Sequence, residues 1–354
     1  MRAEDRPLFS VIIPTRDRSS SCAVALQSVL DQRFDRFEVI VVNDGSSEEN
    51  ERRYRELPAA ASGIARILTL PRTERGHGPG GARNYGAAAA QGAYLAFLDD
   101  DDQWTDPAHL ERVAREIAAS AEPIELVLAN QRAFRHGVPV AGATWIEDLD
   151  RRLARTPDNT GAYTVTAAEL SACSAHCHLN TTIVSRRFFD NIGGLDESLR
   201  YEEDRDFYLR AIDRARLIRY FPAVVSRHNI PDPVAKSSAS TAETELSKRL
   251  YQLRVLDKAA LFSTQLELRR YAMRERTYVL KHIATEAAAT GRFDCAAYYA
   301  RQALMARFTF GWLAATAWFE LRRQFADNFA RNRPGTAEFR KCKPGTAAST
   351  ARRS

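Results

Sequence analysis

The sequence predicts an α/β chain: a mostly parallel sheet with helices on both faces, then an all-helical C-terminal region. Two patterns carry the prediction. In the first hundred residues, short and strongly apolar runs alternate with segments of helical spacing, which is how a parallel sheet is covered on both faces. From Thr241 to about Arg323 no proline occurs, alanine and leucine are frequent, and strand-like runs cease. With 354 residues the chain has room for one main domain and a smaller appendage. We expect the main domain over 1–235, a helical region over 236–330, and a basic, disordered tail over 331–354.

Phe9–Pro14 is an apolar strand that ends at a turn. Ser20–Leu30 has helical spacing, with Val24, Leu26, Val29 and Leu30 on one broad face. Phe37–Val42 is a second strand, and Asn43-Asp44-Gly45-Ser46 behind it is turn chemistry. Glu48–Leu57 is a charged helix, Ile64–Leu70 a third strand, and Gly80–Ala90 an alanine-rich helix behind a glycine-rich loop. Tyr94–Leu98 is a fourth strand. Pro107–Ala119 reads as a helix, since proline suits a first turn. Glu125–Ala129 and Thr181–Ser185 are short strands, Glu202–Ala215 is a helix, and Ala223–Ser226 is a late strand. Residues 131–172 have a mixed pattern that assigns little, and Pro231–Ser240 has loop composition.

The net charge of +6 would suit a nucleic-acid partner, but its location argues against one. The segment 331–354 holds seven basic residues and one acid; removing them from totals of 51 and 45 leaves 44 of each. The five cysteines, at irregular spacing, make no disulfide framework. The first fifteen residues lack the long apolar core of a secretory signal, so a reducing, cytoplasmic setting is expected. The longest mainly apolar run, Phe308–Phe319, is shorter than the roughly 20 residues of a membrane span.

Four stations carry chemistry. Asp99-Asp100-Asp101-Asp102 follow an apolar strand directly, where open α/β folds bind ligands. Four adjacent acids repel, and a divalent cation that prefers oxygen ligands, Mg2+ or Mn2+, would neutralise them. A solvated acidic turn is the plain alternative; the strand-end position favours the cation. Asp44 follows the second strand, where a carboxylate can accept from a base or ribose or simply make a turn. Gly76–Asn84 is a glycine-rich loop leading into a helix, with Arg83 in the first turns. It is neither a Walker loop nor a dinucleotide fingerprint. Tyr201–Asp206 places acids at a helix start, which suits the dipole and also suits a general base.

In this order and spacing the stations resemble the inverting nucleotide-sugar glycosyltransferases of family 2, which have the GT-A fold. The resemblance runs from about Phe9 to His228, through Ser10–Thr15, Val41–Ser46, Gly80–Asn84, Tyr94–Asp102, Gly193–Glu197 and Glu203-Asp204. It implies that 1–235 is the catalytic domain. Pro14, Thr15 and Arg16 would line the nucleotide pocket; Asp44 would bond the base, most often uracil; Arg83 would support the base or diphosphate. Asp99, near the ribose, and Asp101, on the metal, would form the Asp-x-Asp motif. Asp100 would lie in the nucleotide-sugar site, although four acids in a row leave its register and that of Asp102 open. Asp204 matches the catalytic base, with Glu203 in reserve. His228 would meet the metal or diphosphate, or serve the fold alone. Asn180, Thr181 and Thr182 would lie near the acceptor. The implied reaction takes a sugar from a nucleotide-sugar donor, probed first as UDP-sugar, to a glycan or lipid-linked glycan acceptor of surface polysaccharide.

Some features stand outside the resemblance. Cys173, His176, Cys177 and His178 invite a zinc reading, but no distant second ligand pair exists and a buried thiol pair is preferred. Trp104 and Trp145 could stack on sugar, though core packing is the commoner role. The aromatic and arginine-rich run around Phe308–Phe319, with the tail, would suit an anionic membrane surface; packing within the protein is the competing reading. The helices near Phe293–Gln302 could also mediate a homodimer. Rival functions are a catalytically silent module of the same fold, which the intact acids disfavour, and a nucleotidyltransferase, which would want glycines after the first strand.

Overall fold

The computed structural model describes residues 6–61, 63–142, 145–173, 175–231 and 239–331. The chain opens with β1 (Phe9–Thr15), α1 (Ser19–Leu30), β2 (Phe37–Asn43), α2 (Glu48–Arg55), α3 (Pro58–Ala61), β3 (Ala65–Thr69), α4 (Gly78–Ala89) and β4 (Tyr94–Phe97). It continues through β5 (Gln103–Trp104), α5 (His109–Ala119), β6 (Leu126–Arg135), β7 (Val138–Pro139), α6 (Leu149–Arg152), β8 (Tyr163–Val165) and α7 (Ala167–Ser171). A 3-10 turn (Leu179–Thr181) leads to β9 (Thr182–Ser185), α8 (Arg186–Asn191), α9 (Glu203–Arg214) and β10 (Ile218–Asn229). Then come α10 (Ala239–Ala242), α11 (Glu245–Phe262), α12 (Leu266–Ala289), α13 (Phe293–Ala306) and α14 (Phe310–Arg331).

The strands form one sheet in the order β3-β2-β1-β4-β9-β6-β10-β5, with β7 on β6 and β8 on β10. The first four strands are parallel, as the alternating pattern requires. Beyond β4 the sheet is mixed: β9 runs antiparallel to both β4 and β6, while β10 is parallel to β6. The parallel expectation thus holds for half the sheet. β9 is entered from a 3-10 turn rather than from a crossover helix, so nothing obliges it to run parallel.

Alternation sorts the apolar residues of β1, β2 and β4 onto two faces. Val11, Ile13, Val39, Val41 and Ala96 pack with Cys22, Ala25, Leu26 and Val29 of α1, Tyr54 of α2, and Leu110 and Val113 of α5. On the opposite face α4 lies so close to the sheet that a Cβ on Gly86 would sit 2.7 Å from Ile12 and 3.0 Å from Val42. The same face carries the aromatic chain Phe97–Phe189–Phe207, with ring centroids 5.8 and 5.4 Å apart. Helices thus cover both faces of this part of the sheet.

The chain divides into two compact units, Met1–Val279 and Leu280–Ser354, with the division inside α12. The compositional change expected near 235 marks the last strand, whereas α11 and the first half of α12 belong to the first unit. In the second unit the alanines Ala284, Ala287, Ala296, Ala297 and Ala300 pack with Phe319. Among the described residues no helix is long and apolar enough to cross a membrane. Most of the loop expected over 231–240, and the tail after Arg331, lie outside the described residues.

Candidate functional site

β1, β2 and β4 are in parallel register, with Thr15 beside Asn43 and Ile12 beside Phe97. The segments leaving their C-terminal ends therefore meet on one edge, and each of the four stations contributes there. The acidic ledge Asp99–Asp102 is held by fixed partners. Arg83 Nη2 donates to Asp99 Oδ1 at 2.5 Å, and the Asp99 N–H donates to Asn180 Oδ1 at 2.9 Å. Arg18 lies 2.7 Å from Asp100 and 2.6 Å from Asp101. Asp102 meets His228 Nδ1 at 2.7 Å, the Asn229 N–H at 2.7 Å and Asn180 Nδ2 at 2.5 Å.

These partners do not cancel the ledge's charge. Burial, with Asp101 and Asp99 beside it, outweighs Arg18 and raises the Asp100 carboxyl to about 7. Burial likewise raises Asp102 to about 6 against the pull of His228. Burial opposes ionisation of Asp99 too, but there Arg83 prevails and holds the carboxyl below its ordinary value. One carboxylate oxygen each from Asp99, Asp101 and Asp102 fall within 4.8 Å of one another. This all-oxygen donor set, with Asp99 and Asp101 partly open to solvent, fits a hard divalent cation. His228 reaches the ledge through Asp102 and stands outside that trio.

The residues expected in the nucleotide pocket fall into two sets. Thr15 and Asp100 are buried and bond each other at 2.6 Å, with Thr15 also 2.9 Å from the Tyr54 hydroxyl. They tie the end of β1 to the ledge. Pro14 and Arg16 are partly open. Arg16 donates to the carbonyls of Thr73 and Glu74 at 2.9 and 3.1 Å. Asp44 accepts from the N–H groups of His77 and Gly78 at 2.8 and 3.0 Å, and meets His77 Nδ1 at 2.8 Å. Oδ1 takes both His77 contacts and Oδ2 takes the Gly78 N–H, which leaves a lone pair on Oδ2 for a ligand donor. Gly76 lies between Arg16 and Asp44 at φ +66°, and a Cβ there would collide with both side chains. Glycine is the residue that lets this loop close on Asp44.

The other wall is the start of α9. Glu202 takes a left-handed conformation, φ 66°, and is held by Arg205 at 3.3 Å and Gln252 at 2.9 Å. This turn drops Glu203 inward and leaves Asp204 at the surface of the cleft. Glu203 is buried against Arg83 Nη1 at 2.7 Å. Arg83 thus bridges Glu203 and Asp99, and it is itself buried. Both Nη groups being so committed, Arg83 ties the two walls together. Burial, reinforced by the Asp204 charge, raises Glu203 to about 7 despite Arg83.

Asp204 is held differently. Its Oδ1 accepts the Arg205 N–H at 2.7 Å, and its Oδ2 lies 3.1 Å from His176 Nε2. Burial works against the charge, but these contacts hold the carboxyl well below the usual range. His178 Nε2 lies between the walls, 3.8 Å from Asp99 and 3.9 Å from Asp204. Burial lowers His178 to about 4, so it is neutral at pH 7. Trp145 stands edge-on to His178 and His228, at 5.9 and 5.1 Å.

The structure therefore redistributes the segment Cys173–His178. Cys173 and Cys177 are buried free thiols, raised by burial to about 11, while His176 and His178 turn into the cleft. Asn180, expected near the acceptor, bonds the ledge and is buried. Trp104 is a core residue whose Nε1 donates to the Asn180 carbonyl at 2.8 Å. Sequence reasoning missed Arg18, and it weighed His176 and His178 as zinc ligands without placing them in the cleft. Two histidines and an arginine among polar neighbours were the available signals, but each meets a partner far along the chain.

Residues 10–138 match the profile of Glycosyl transferase family 2. A UDP-Glc:alpha-D-GlcNAc-diphosphoundecaprenol beta-1,3-glucosyltransferase, WfgD of Escherichia coli, is 31% identical over 38% of this chain and 46% of its own. The chain spans less than half the length of the curated relatives that it matches above 30% identity. Among solved structures, S. aureus TarS 1–349 with UDP-GlcNAc aligns at TM-score 0.59 and 17% identity over 92% of each chain. The mannosyltransferase PcManGT of Pyrobaculum calidifontis with GDP-Man and Mn2+ aligns at 0.54 and 17%, over 93% of this chain and 88% of that one. At these identities the structures speak for the fold, and the profile speaks for the signature that runs through the ledge. Residues 10–138 thus form a glycosyltransferase family 2 domain, on a sheet of the GT-A fold that presents its acids at the strand ends.

Proposed function

We propose that this glycosyltransferase is inverting, uses a nucleoside diphosphate sugar, UDP-sugar first, and acts on a glycan or lipid-linked glycan in polysaccharide synthesis. The observation that carries the reading is the pairing of two walls by Arg83. An acidic ledge at the sheet edge and a single oriented carboxylate, Asp204, are fixed to one another through Asp99 and Glu203. The UDP, UDP-GlcNAc and GDP-Man complexes of the neighbours support the donor class. The E. coli relative's diphosphoundecaprenol-linked acceptor supports the acceptor class.

In this reading Arg16, Asp44 and the Gly76–Gly78 backbone form the base end of the donor site, with Pro14 beside them. Thr15 and Asp100 keep Arg18 and the ledge in place. Asp99, Asp101 and Asp102 would hold a divalent cation, which supplies Lewis-acid stabilisation of the charge on a leaving diphosphate. Asp204 accepts the proton of the acceptor hydroxyl as that oxygen attacks the anomeric carbon from the face opposite the leaving group. Attack from the opposite face inverts the centre. Arg205 N–H and His176 fix the carboxylate's orientation, so its free lone pairs face one direction. Glu203, spent on Arg83, serves position rather than proton transfer.

The test is binding and slow hydrolysis of UDP-, GDP- and dTDP-sugars with manganese, in wild type and Asp101→Ala. Selective, metal-dependent binding that the substitution abolishes supports the reading and names the donor. Absence of binding to every donor, with and without metal, overturns it.

A further inference from the structure

The second unit carries a surface that its own packing leaves bare. One face of α14 turns inward: Trp312 Nε1 donates to the Ala300 carbonyl at 3.0 Å, and Phe319 joins the alanines of α12 and α13. On the opposite face Phe310, Leu313, Trp318, Leu321 and Phe325 are 82%, 43%, 55%, 46% and 64% exposed. At 3.6 residues per turn these five fall within an arc of about 140°. The stripe continues into the preceding turn, where the Phe308 and Phe310 rings meet at 5.3 Å and Met305 is bare. A bare apolar stripe of this length on a folded helix calls for an occupant.

Charge identifies the occupant. Residues 301–354 hold eleven basic and three acidic side chains, a balance of +8. The whole chain is +6, so the remaining 300 residues are −2. All of the protein's net positive charge therefore lies on the helix that carries the stripe and on the sequence around it. Arg322 flanks the stripe directly, its guanidinium 5.7 Å from the Trp318 ring and 4.9 Å from Phe293. A second copy of the chain would bring like charge against like charge. An anionic bilayer accepts both features: aromatic and aliphatic side chains enter the boundary of the acyl chains while arginine and lysine face the headgroups.

We infer that the outer face of α14 and the α13–α14 turn form a docking surface for an anionic lipid bilayer, with the helix lying in the plane of the interface. The surface belongs to the second unit and stands whether or not the donor chemistry proposed above is right.

The experiment is cosedimentation of the full chain with vesicles of phosphatidylglycerol and phosphatidylcholine, against vesicles of phosphatidylcholine alone. Wild type is expected on the mixed vesicles, with binding weakened by salt. The triple variant Phe310→Ser, Leu321→Ser, Phe325→Ser should lose at least about tenfold in partitioning, as removal of the buried apolar area requires. Its helical circular dichroism should match wild type. If that variant does not fold, Arg307→Glu with Arg322→Glu, which leaves the apolar stripe intact, should weaken binding to mixed vesicles alone. Failure of wild type to bind mixed vesicles overturns the proposal. So does binding that survives the triple substitution, which would assign it to the tail, or a stripe-dependent dimer in solution, which would assign the face to a second copy.

Discussion

The two walls of the cleft hold their acids in opposite ways. On the ledge every carboxylate has a cationic or imidazole partner, and burial still raises three of the four from their ordinary value. Across one imidazole, Asp204 has a backbone N–H and a histidine, and is pushed below that value. The ledge is a fixed concentration of negative charge that a cation would complete. The α9 wall holds one ionised carboxylate with its direction set and its ionisation secured. In the proposed reaction a leaving diphosphate and an incoming hydroxyl would need these different treatments; Arg83 bonds an acid on each wall, and the neutral His178 lies between them.

Asp204→Asn should separate the walls most sharply. It keeps shape and removes the proton acceptor, so turnover should fall about 10²–10⁴-fold while donor affinity stays near wild type. Equal losses of binding and turnover would place Asp204 on the donor side instead. Arg83→Met attacks the bridge. It leaves the buried Glu203 and the half-buried Asp99 without their shared cation, and breaking such a buried pair costs about 3–5 kcal/mol. Urea unfolding should show that loss, and an unchanged midpoint would mean that the two walls are fixed independently.

His176→Ala loosens one hydrogen bond to a charged group, worth about 1.5 kcal/mol, so turnover should drop by roughly tenfold. The donor KM should hold, and His176→Gln, which retains an N–H donor, should recover part of the loss. A change in donor KM with turnover intact would contradict a positioning role. The smallest effect lies behind the α9 wall. Burial works against the Asp196 charge, but hydrogen bonds from Lys258 and Ser198 bring its carboxyl from an ordinary 3.8 to about 2. A depressed carboxyl stabilises the fold above its unfolded value and loses that contribution as pH falls through its folded value. Asp196→Asn should therefore lower stability in the neutral region, with the deficit shrinking as pH falls from about 4 to 2, so that the acid limb of the profile is flatter.

Much of this molecule was legible in local pattern. The strands β1, β2 and β4 are apolar runs that break at a polar turn, and the acids that follow them are visible as acids. The antiparallel return of β9 was not, because strand direction depends on how the chain arrives and leaves no mark on four residues such as Thr182–Ser185. Glu203 and Asp204 read alike in sequence, adjacent acids at a helix start. The left-handed turn at Glu202 separates them, sending one to Arg83 and the other to the cleft. Cys173–His178 reads as a local cluster, yet its thiols and imidazoles go opposite ways, and His176 finds its partner 28 residues later.

By itself the sequence determined the alternation that builds the sheet, the concentration of acid at one strand end, and the gathering of positive charge on the last helix and tail. Those depend on residue type and spacing, which folding preserves. Tertiary structure decided which acid is buried and which faces the cleft, which arginine bridges the walls, and which side of α14 stays bare. Those depend on partners brought together across the chain, and burial then sets how each charge behaves.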